Sequence, residues 1–381
     1  MRQILLILKH LLFFMLLFAL GRTCFLIANV SLLQGVAWTE ILRTYVAALQ
    51  LDLSTACYMT AVPLLLLACH WAWPKKGWMM GLKIYGFAVI IVFSILVFCE
   101  ISVYSEWATK LNYKALHYLE HPAEIIQSAS GTHTAIVLIG VPLFAAAGIS
   151  AYWRWLLKPF QNQKIIRNHL AGILLFLLGE PLLFAGVRGG FQQIPVSQSS
   201  AYFSKCQILN DAAVNPGWNI GHSLLNFSKL NNENPFIVMS EEEMEQCWQE
   251  MNYAEKDTSL SLLKNVTEPI NVVIILLESW SADLIETLTG TQGNTPYFHQ
   301  LEKEGVLFTR FYANGHRSQL GISALLSGFP VIPDNSITDN FEKYSKLNSL
   351  VKDLNKADYN TSFYFGGDLA YGNLKAYLTS N

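Results

Sequence analysis

Charge is scarce in this chain. Of its 381 residues only 14% are Asp, Glu, Lys or Arg, against 52% apolar, and the mean hydropathy is +0.30. An ordinary soluble domain carries roughly 25% charged residues, so part of the chain is built to face lipid. Neither sign dominates: a formal net charge of −2 offers no basic footprint, which argues against nucleic acid as a partner. The six cysteines include no C-x-x-C spacing, so neither a zinc ribbon nor a dithiol redox centre is indicated. Cys24, Cys57, Cys69 and Cys99 sit in apolar runs, where a thiol packs as a small hydrophobe. Cys206 and Cys247 lie outside those runs, where an oxidising compartment would let them pair. Internal repeats and long low-complexity tracts are also missing.

What the chain does have is long apolar runs. A membrane-spanning helix needs about 20 mostly apolar residues, and five segments qualify: Ile4–Val30, Tyr45–Trp71, Met80–Ile101, Ala135–Trp155 and Leu170–Val187. Met1-Arg2 before the first run resembles the start of a signal peptide. No A-x-A-like site follows, and Leu20-Gly21-Arg22-Thr23-Cys24 lacks the small residue a lipoprotein cysteine needs, so the run reads as a retained helix. With the N-terminus cytoplasmic, the inner segments carry Arg2, Lys75, Lys76, Arg154, Lys158, Lys164 and Arg167, and the outer loops only Arg43, Lys110 and Lys114. That bias sets the orientation. Five spans then put the C-terminal part outside a cell membrane, inner or plasma. Trp71, Trp73 and Trp78 bracket the Pro74-Lys75-Lys76 turn, as interfacial indoles do.

Three carboxylates fall in or near these runs. Asp52 and Glu100 read either as functional intramembrane acids or as hydrated groups near the outer interface; Glu180 is nearer mid-membrane. None has a partner that the sequence identifies. Between the third and fourth spans, Tyr104–His133 carries Trp107, Leu111, Ala115, Tyr118 and Leu119 at helical spacing. This predicts an amphipathic helix, lying on the membrane or packed under the outer domain.

Residues 1–190 therefore read as a five-helix membrane domain, 191–268 as an extracytoplasmic linker and 269–381 as the N-terminal part of an α/β domain. The linker is rich in Gly, Ser and Asn and reads as a tether with local helices. One of these is Met239–Met251, where Ser240 and Glu243 form a capping box. Beyond Pro269, Asn271–Leu277 is a short β-branched run expected to be a buried parallel strand. Thr295-Pro296 opens a helix that ends at Gly305, and Val306–Tyr312 is a second strand. Ser318–Ser327 and Lys346–Lys356 read as helices, and Tyr359–Phe365 as a further strand. Alternation of this kind predicts a parallel sheet, whose ligands bind at the carboxyl ends of the strands.

Glu278, Ser318 and Asp368 fall at such ends. Glu278 is either a hard oxygen ligand for a divalent cation or an exposed strand-end glutamate. Ser318 is either a nucleophile at a helix N-terminus, where anions are favoured, or an ordinary N-cap.

The ordered set Asn271–Glu278 with Ser279-Trp280, Asn294-Thr295-Pro296, Gly315-His316-Arg317-Ser318 through Gly321-Ile322, and Leu326-Ser327-Gly328-Phe329-Pro330 resembles the lipoteichoic acid synthase and phosphoglycerol transferase family. That family lies in the alkaline phosphatase and sulfatase superfamily, and its architecture of five spans, linker and outer sulfatase-like domain is similar too. The resemblance implies that Glu278 and Ser318 bind a catalytic divalent metal, Mn²⁺ first and Mg²⁺ or Zn²⁺ otherwise. It also implies that Ser318 carries a covalent phosphoglycerol intermediate. Arg317 and His316 would contact phosphate oxygens, and Asp368 the substrate side. The implied donor is phosphatidylglycerol or a similar phospholipid, and the acceptor a glycan, lipid or polymer.

Ser318-Gln319-Leu320-Gly321-Ile322 lacks the proline and arginine of a formylglycine sulfatase, which argues against sulfate-ester cleavage by that route. The family completes its metal site with an Asp-His pair and a further His from a later segment. Of nine histidines only His299 and His316 lie beyond residue 268, neither in that context. The expectation is therefore a fragment of a longer protein, inactive by itself. Phosphoethanolamine transfer is the alternative within the same chemistry, and a truncated, non-catalytic membrane binding protein the alternative outside it. A transporter is disfavoured, because no paired Gly/Pro-interrupted helices mark an inverted repeat.

Overall fold

The computed structural model describes residues 2–112, 131–160, 167–227, 239–252, 270–291, 293–332 and 336–381. Five helices are long and apolar enough to cross a bilayer: α1 (Arg2–Ala28), α2 (Trp38–Ala72), α3 (Lys76–Trp107), α4 (Gly131–Tyr152) and α5 (His169–Arg188). Each overlaps an apolar run expected from the sequence, with α1 ending two residues and α4 three residues short of the expected end. At 35 and 32 residues, α2 and α3 are about 50 Å long. That exceeds a hydrocarbon layer of roughly 30 Å, so their ends stand clear of it. The surface helix expected within Tyr104–His133 lies, over 113–130, outside the described residues.

The bundle packs large side chains inward where it can and glycine where it must. Phe14, Phe18 and Phe93 fill the space between α1 and α3. Between α2 and α5 the contact is closer. Gly172, Gly179 and Gly186 recur every seven residues along α5, and a Cβ at Gly172 would sit 2.6 Å from the Ala68 carbonyl oxygen. Without a hydrophobic drive between helices in lipid, such small-residue seams let backbones approach.

Arg22 on α1 donates through Nη2 to both carboxylate oxygens of Asp52 at 2.9 Å, and through Nε to the Ala212 carbonyl at 2.8 Å. Asn215 adds a third hydrogen bond to Asp52 at 2.8 Å. Lys110 donates to Glu100 at 2.6 Å and to the Asp211 carbonyl at 2.9 Å, while the Tyr104 hydroxyl donates to the Asp211 carboxylate. Asp52 and Glu100 are each 2% exposed. This corrects the hydrated reading: both acids are dry and ion-paired. Glu180 is half-buried, with no ion pair among the described residues.

The stretch read as a tether is, over 196–227, part of the packed body. Here α6 (Gln207–Ala213) and α7 (Pro216–Phe227) follow a 3₁₀ turn at Gln198–Ala201. Ile208, Leu209 and Ala212 join the bundle core. Ala201, Tyr202, Ala213 and Val214 join a second core with Ala48 and Leu51 of α2 and Ile322, Ile337, Tyr344, Leu374 and Tyr377. The polar residues that suggested a loop are instead buried bonding groups. Asn210 accepts from the Phe203 and Ser204 amides, and Ser199 accepts from the Ala376 amide. Further on, α8 (Glu241–Asn252) carries the expected capping box, with the Ser240 amide donating to Glu243 at 2.9 Å.

Residues 270–381 contribute α9 (Glu286–Thr289), α10 (Pro296–Glu304), α11 (Ser318–Ser327), α12 (Phe341–Tyr344), α13 (Leu350–Lys356) and α14 (Leu374–Ser380). The helix expected over Lys346–Lys356 starts later, at the Ser349 cap, whose Oγ accepts from the Lys352 amide. No β-strand forms among the described residues, so the expected α/β sheet is not built. Asn271–Leu277, Val306–Tyr312 and Tyr359–Phe365 run unpaired, with Val273 82% and Tyr364 91% exposed. A strand exists only by bonding a neighbour's backbone, and among the described residues none pairs with these runs.

Candidate active site

Glu278 and Ser318 reach each other from separate elements. The unpaired run 271–277 ends in a turn at Glu278-Ser279. Ser279 lies in the left-handed region at φ +57°, a costly conformation for a non-glycine residue. It turns the chain immediately after Glu278. Trp280 then packs on Phe298 of α10, ring centroids 5.5 Å apart.

On the other side, α11 buries Gln319, Leu320, Ile322 and Ser323, an inner face at helical spacing. Arg317 occupies its N-cap in extended geometry, and Gly328 at φ +62° closes its C-terminal end. Ser318 is therefore the first helical residue rather than the cap. Gly315 lets the incoming loop fold back on the helix, since a Cβ there would lie 2.7 Å from Leu320 Cβ. The Ser318 Oγ donates to Glu278 Oε1 at 2.8 Å. Ser318 is half-buried and Glu278 exposed, so the pair opens to solvent.

His316 and Arg317, both exposed, flank the pair in the loop. Arg317 lies beside Asp339, which accepts from the Asn373 amide at 2.8 Å and also feels His222 of α7. Burial pushes the Asp339 carboxyl up, against the pull of Asn373, His222 and Arg317. Asp339 belongs to no motif in the sequence; its only local signal is the Thr338-Asp339-Asn340 turn. Asp368 is turned to a local task, accepting from the Ala370 amide at 2.9 Å.

Two oxygens, one carboxylate and one hydroxyl, are the donor type a hard divalent cation takes, but such a cation wants about six. Among the described residues no group of three or more His, Cys, Asp or Glu gathers here or elsewhere. These residues therefore do not by themselves hold a metal ion.

Residues 270–379 match the sulfatase family. The match begins at the run before Glu278, takes in Ser318 and ends within α14. The match supports a likeness of this segment to the sulfatase superfamily of hydrolases and transferases, whose members generally use divalent metals. No solved structure matches the chain.

Proposed function

We propose that the chain belongs to a membrane-anchored phosphoglycerol transferase, with Ser318 as nucleophile. The observation that carries this reading is the 2.8 Å bond from the Ser318 hydroxyl to Glu278 at the start of α11, inside the sulfatase-matching segment. The carboxylate holds the hydroxyl proton and leaves the Oγ lone pairs free to face phosphorus. The first-turn amides of a ten-residue helix favour an anion in front of them.

Ser318 Oγ attacks the phosphorus of phosphatidylglycerol, and the bond to the diacylglycerol oxygen breaks. The serine proton passes to Glu278 and on to that oxygen, releasing diacylglycerol. A hydroxyl of a glycan, lipid or polymer acceptor then attacks the phosphoserine ester, and the proton returns to Ser318. On this reading Arg317 and His316, exposed beside the pair, would contact the non-bridging oxygens, and Asp368 would lie toward the substrate. The five apolar helices hold this site at the surface where a lipid donor is concentrated. The Lys/Arg bias supports a cytoplasmic N-terminus and an extracytoplasmic site.

The test expresses the complete reading frame containing this chain and follows diacylglycerol release from labelled phosphatidylglycerol in membranes, with Mn²⁺ added. Release that disappears in Ser318→Ala is the expected result. Wild-type release from Ser318→Ala would overturn the assignment, and label taken from phosphatidylethanolamine instead would move it to phosphoethanolamine transfer.

A further inference from the structure

Away from the Ser318–Glu278 pair, a cavity of about 440 Å³ opens between the end of α3 and α12. One wall is Trp107, Thr109 and Asn112; the other is Glu342, Lys343 and Lys346. Its size falls within the range of small-molecule sites. Its exposed lining is mostly apolar and is edged by two ammonium groups and a carboxylate, so it suits an amphiphile better than a purely apolar guest. A single carboxylate is too little for a divalent cation. Two lysines facing a threonine hydroxyl suit a phosphate ester, with Glu342 placed to accept from a head-group hydroxyl. Neither ammonium is ion-paired among the described residues.

The height of the cavity identifies the source of that ester. Trp107 is the last residue of α3, a 32-residue apolar helix whose length exceeds the hydrocarbon layer by roughly 18 Å. An indole at such an end sits at head-group level. The same end of the helix meets residues 342–346 of the sulfatase-matching segment across the cavity.

We infer that this cavity binds the phosphate-ester head group of an anionic phospholipid, as a site separate from Ser318. The inference rests on the membrane placement in the proposed function and not on its transfer chemistry.

The experiment titrates the full chain in neutral detergent with short-chain phosphatidylglycerol, short-chain phosphatidylcholine and free glycerol phosphate, reading bound ligand by native mass spectrometry. Lysines near an anionic lipid are worth roughly fivefold each, so K343Q/K346Q should weaken phosphatidylglycerol binding about tenfold or more. K205Q/K303Q removes the same charge from exposed positions elsewhere and should leave binding unchanged. Thr109→Val, on the opposite wall, should weaken it in the same direction, and unfolding midpoints identify any variant that fails to fold. Equal weakening by both lysine pairs, or none by K343Q/K346Q, would overturn the site. Equal affinity for phosphatidylcholine would overturn its preference for an anion, and equal affinity for glycerol phosphate would overturn the lipid as its source. Repeating the titration in Ser318→Ala separates the two proposals: the lysine effect persists there even if the transfer reading fails.

Discussion

Ile90 on α3 and Ile275 in the unpaired run before Glu278 are the same side chain in opposite circumstances. The first is fully buried between helices; the second is 75% exposed. Charge is distributed the other way. Arg22, Asp52, Glu100 and Lys110 are buried in the bundle, whereas Glu278, His316 and Arg317 stand in the open. The bundle and its 196–227 collar thus gain from apolar burial and hold their charges in closed pairs. The runs over 270–277 and 306–312 leave apolar surface in water, where it contributes nothing at about 25 cal/mol per Å². Stability in this chain follows cover, not composition.

The largest effect that would sharpen this contrast is expected at Arg22. Removing one partner of a buried pair strands the other charge and costs about 3–5 kcal/mol. Arg22→Ala should therefore lower the unfolding midpoint in detergent steeply, and Arg22→Met with Asp52→Leu should recover most of it. A mild single variant would mean that the pair is not closed to water.

Next in size is a pH effect in the collar. Burial pushes the Asp211 carboxyl up from an ordinary 3.8 to about 6; Lys110 and the Tyr104 hydroxyl oppose this, Glu100 adds to it and Gln207 opposes it. Between about pH 4 and 6 the folded state keeps a proton that the unfolded state has lost. Stability from this group is therefore full below pH 4. It falls by about 3 kcal/mol as pH rises to 6, then levels off. Unfolding midpoints measured across pH 4–8 should show that decline, and Asp211→Asn should flatten it.

Glycines extend the comparison to backbone packing. Gly172→Val forces α5 away from the Ala68 carbonyl and should cost about 1–3 kcal/mol. Gly321 on α11 has nothing within 4 Å of an added Cβ, so Gly321→Ala should instead raise stability by about 0.5–1 kcal/mol. The smallest effect belongs to the uncovered run: Val273→Thr should change stability by no more than about 0.5 kcal/mol while lowering the binding of a hydrophobic dye. A large loss on unfolding would show that this run is covered after all.

What was legible in the sequence was local. Five apolar runs announce five helices because length and hydropathy belong to the run itself. Thr295, Pro296 and Gly305 mark the ends of α10 because capping is decided within a turn. Pairing was not legible. Arg22 stands 30 residues from Asp52 and looked like a detail beside Cys24. Glu278 and Ser318 were each singled out, but nothing in either neighbourhood told that 40 residues of chain fold back to a 2.8 Å bond. The 196–227 collar was misread for the same reason. Ser199, Asn210, Asn215 and Asn219 have the composition of a loop, and only their buried partners make them part of a core. The strand-like runs show the converse: a β-branched pattern that finds no paired neighbour among the described residues and forms no strand.

Ile322 of α11 lies in one core with Ala48 and Leu51 of α2. The helix that begins at Ser318 is thereby fixed to a membrane-crossing helix rather than hung from a flexible arm. On the proposed reading, a nucleophile mounted in this way would keep one altitude above the bilayer. It would meet a lipid by sideways diffusion in a plane, at a rate set by molecules per unit area, and an acceptor would have to be tall enough, or mobile enough, to come to that altitude.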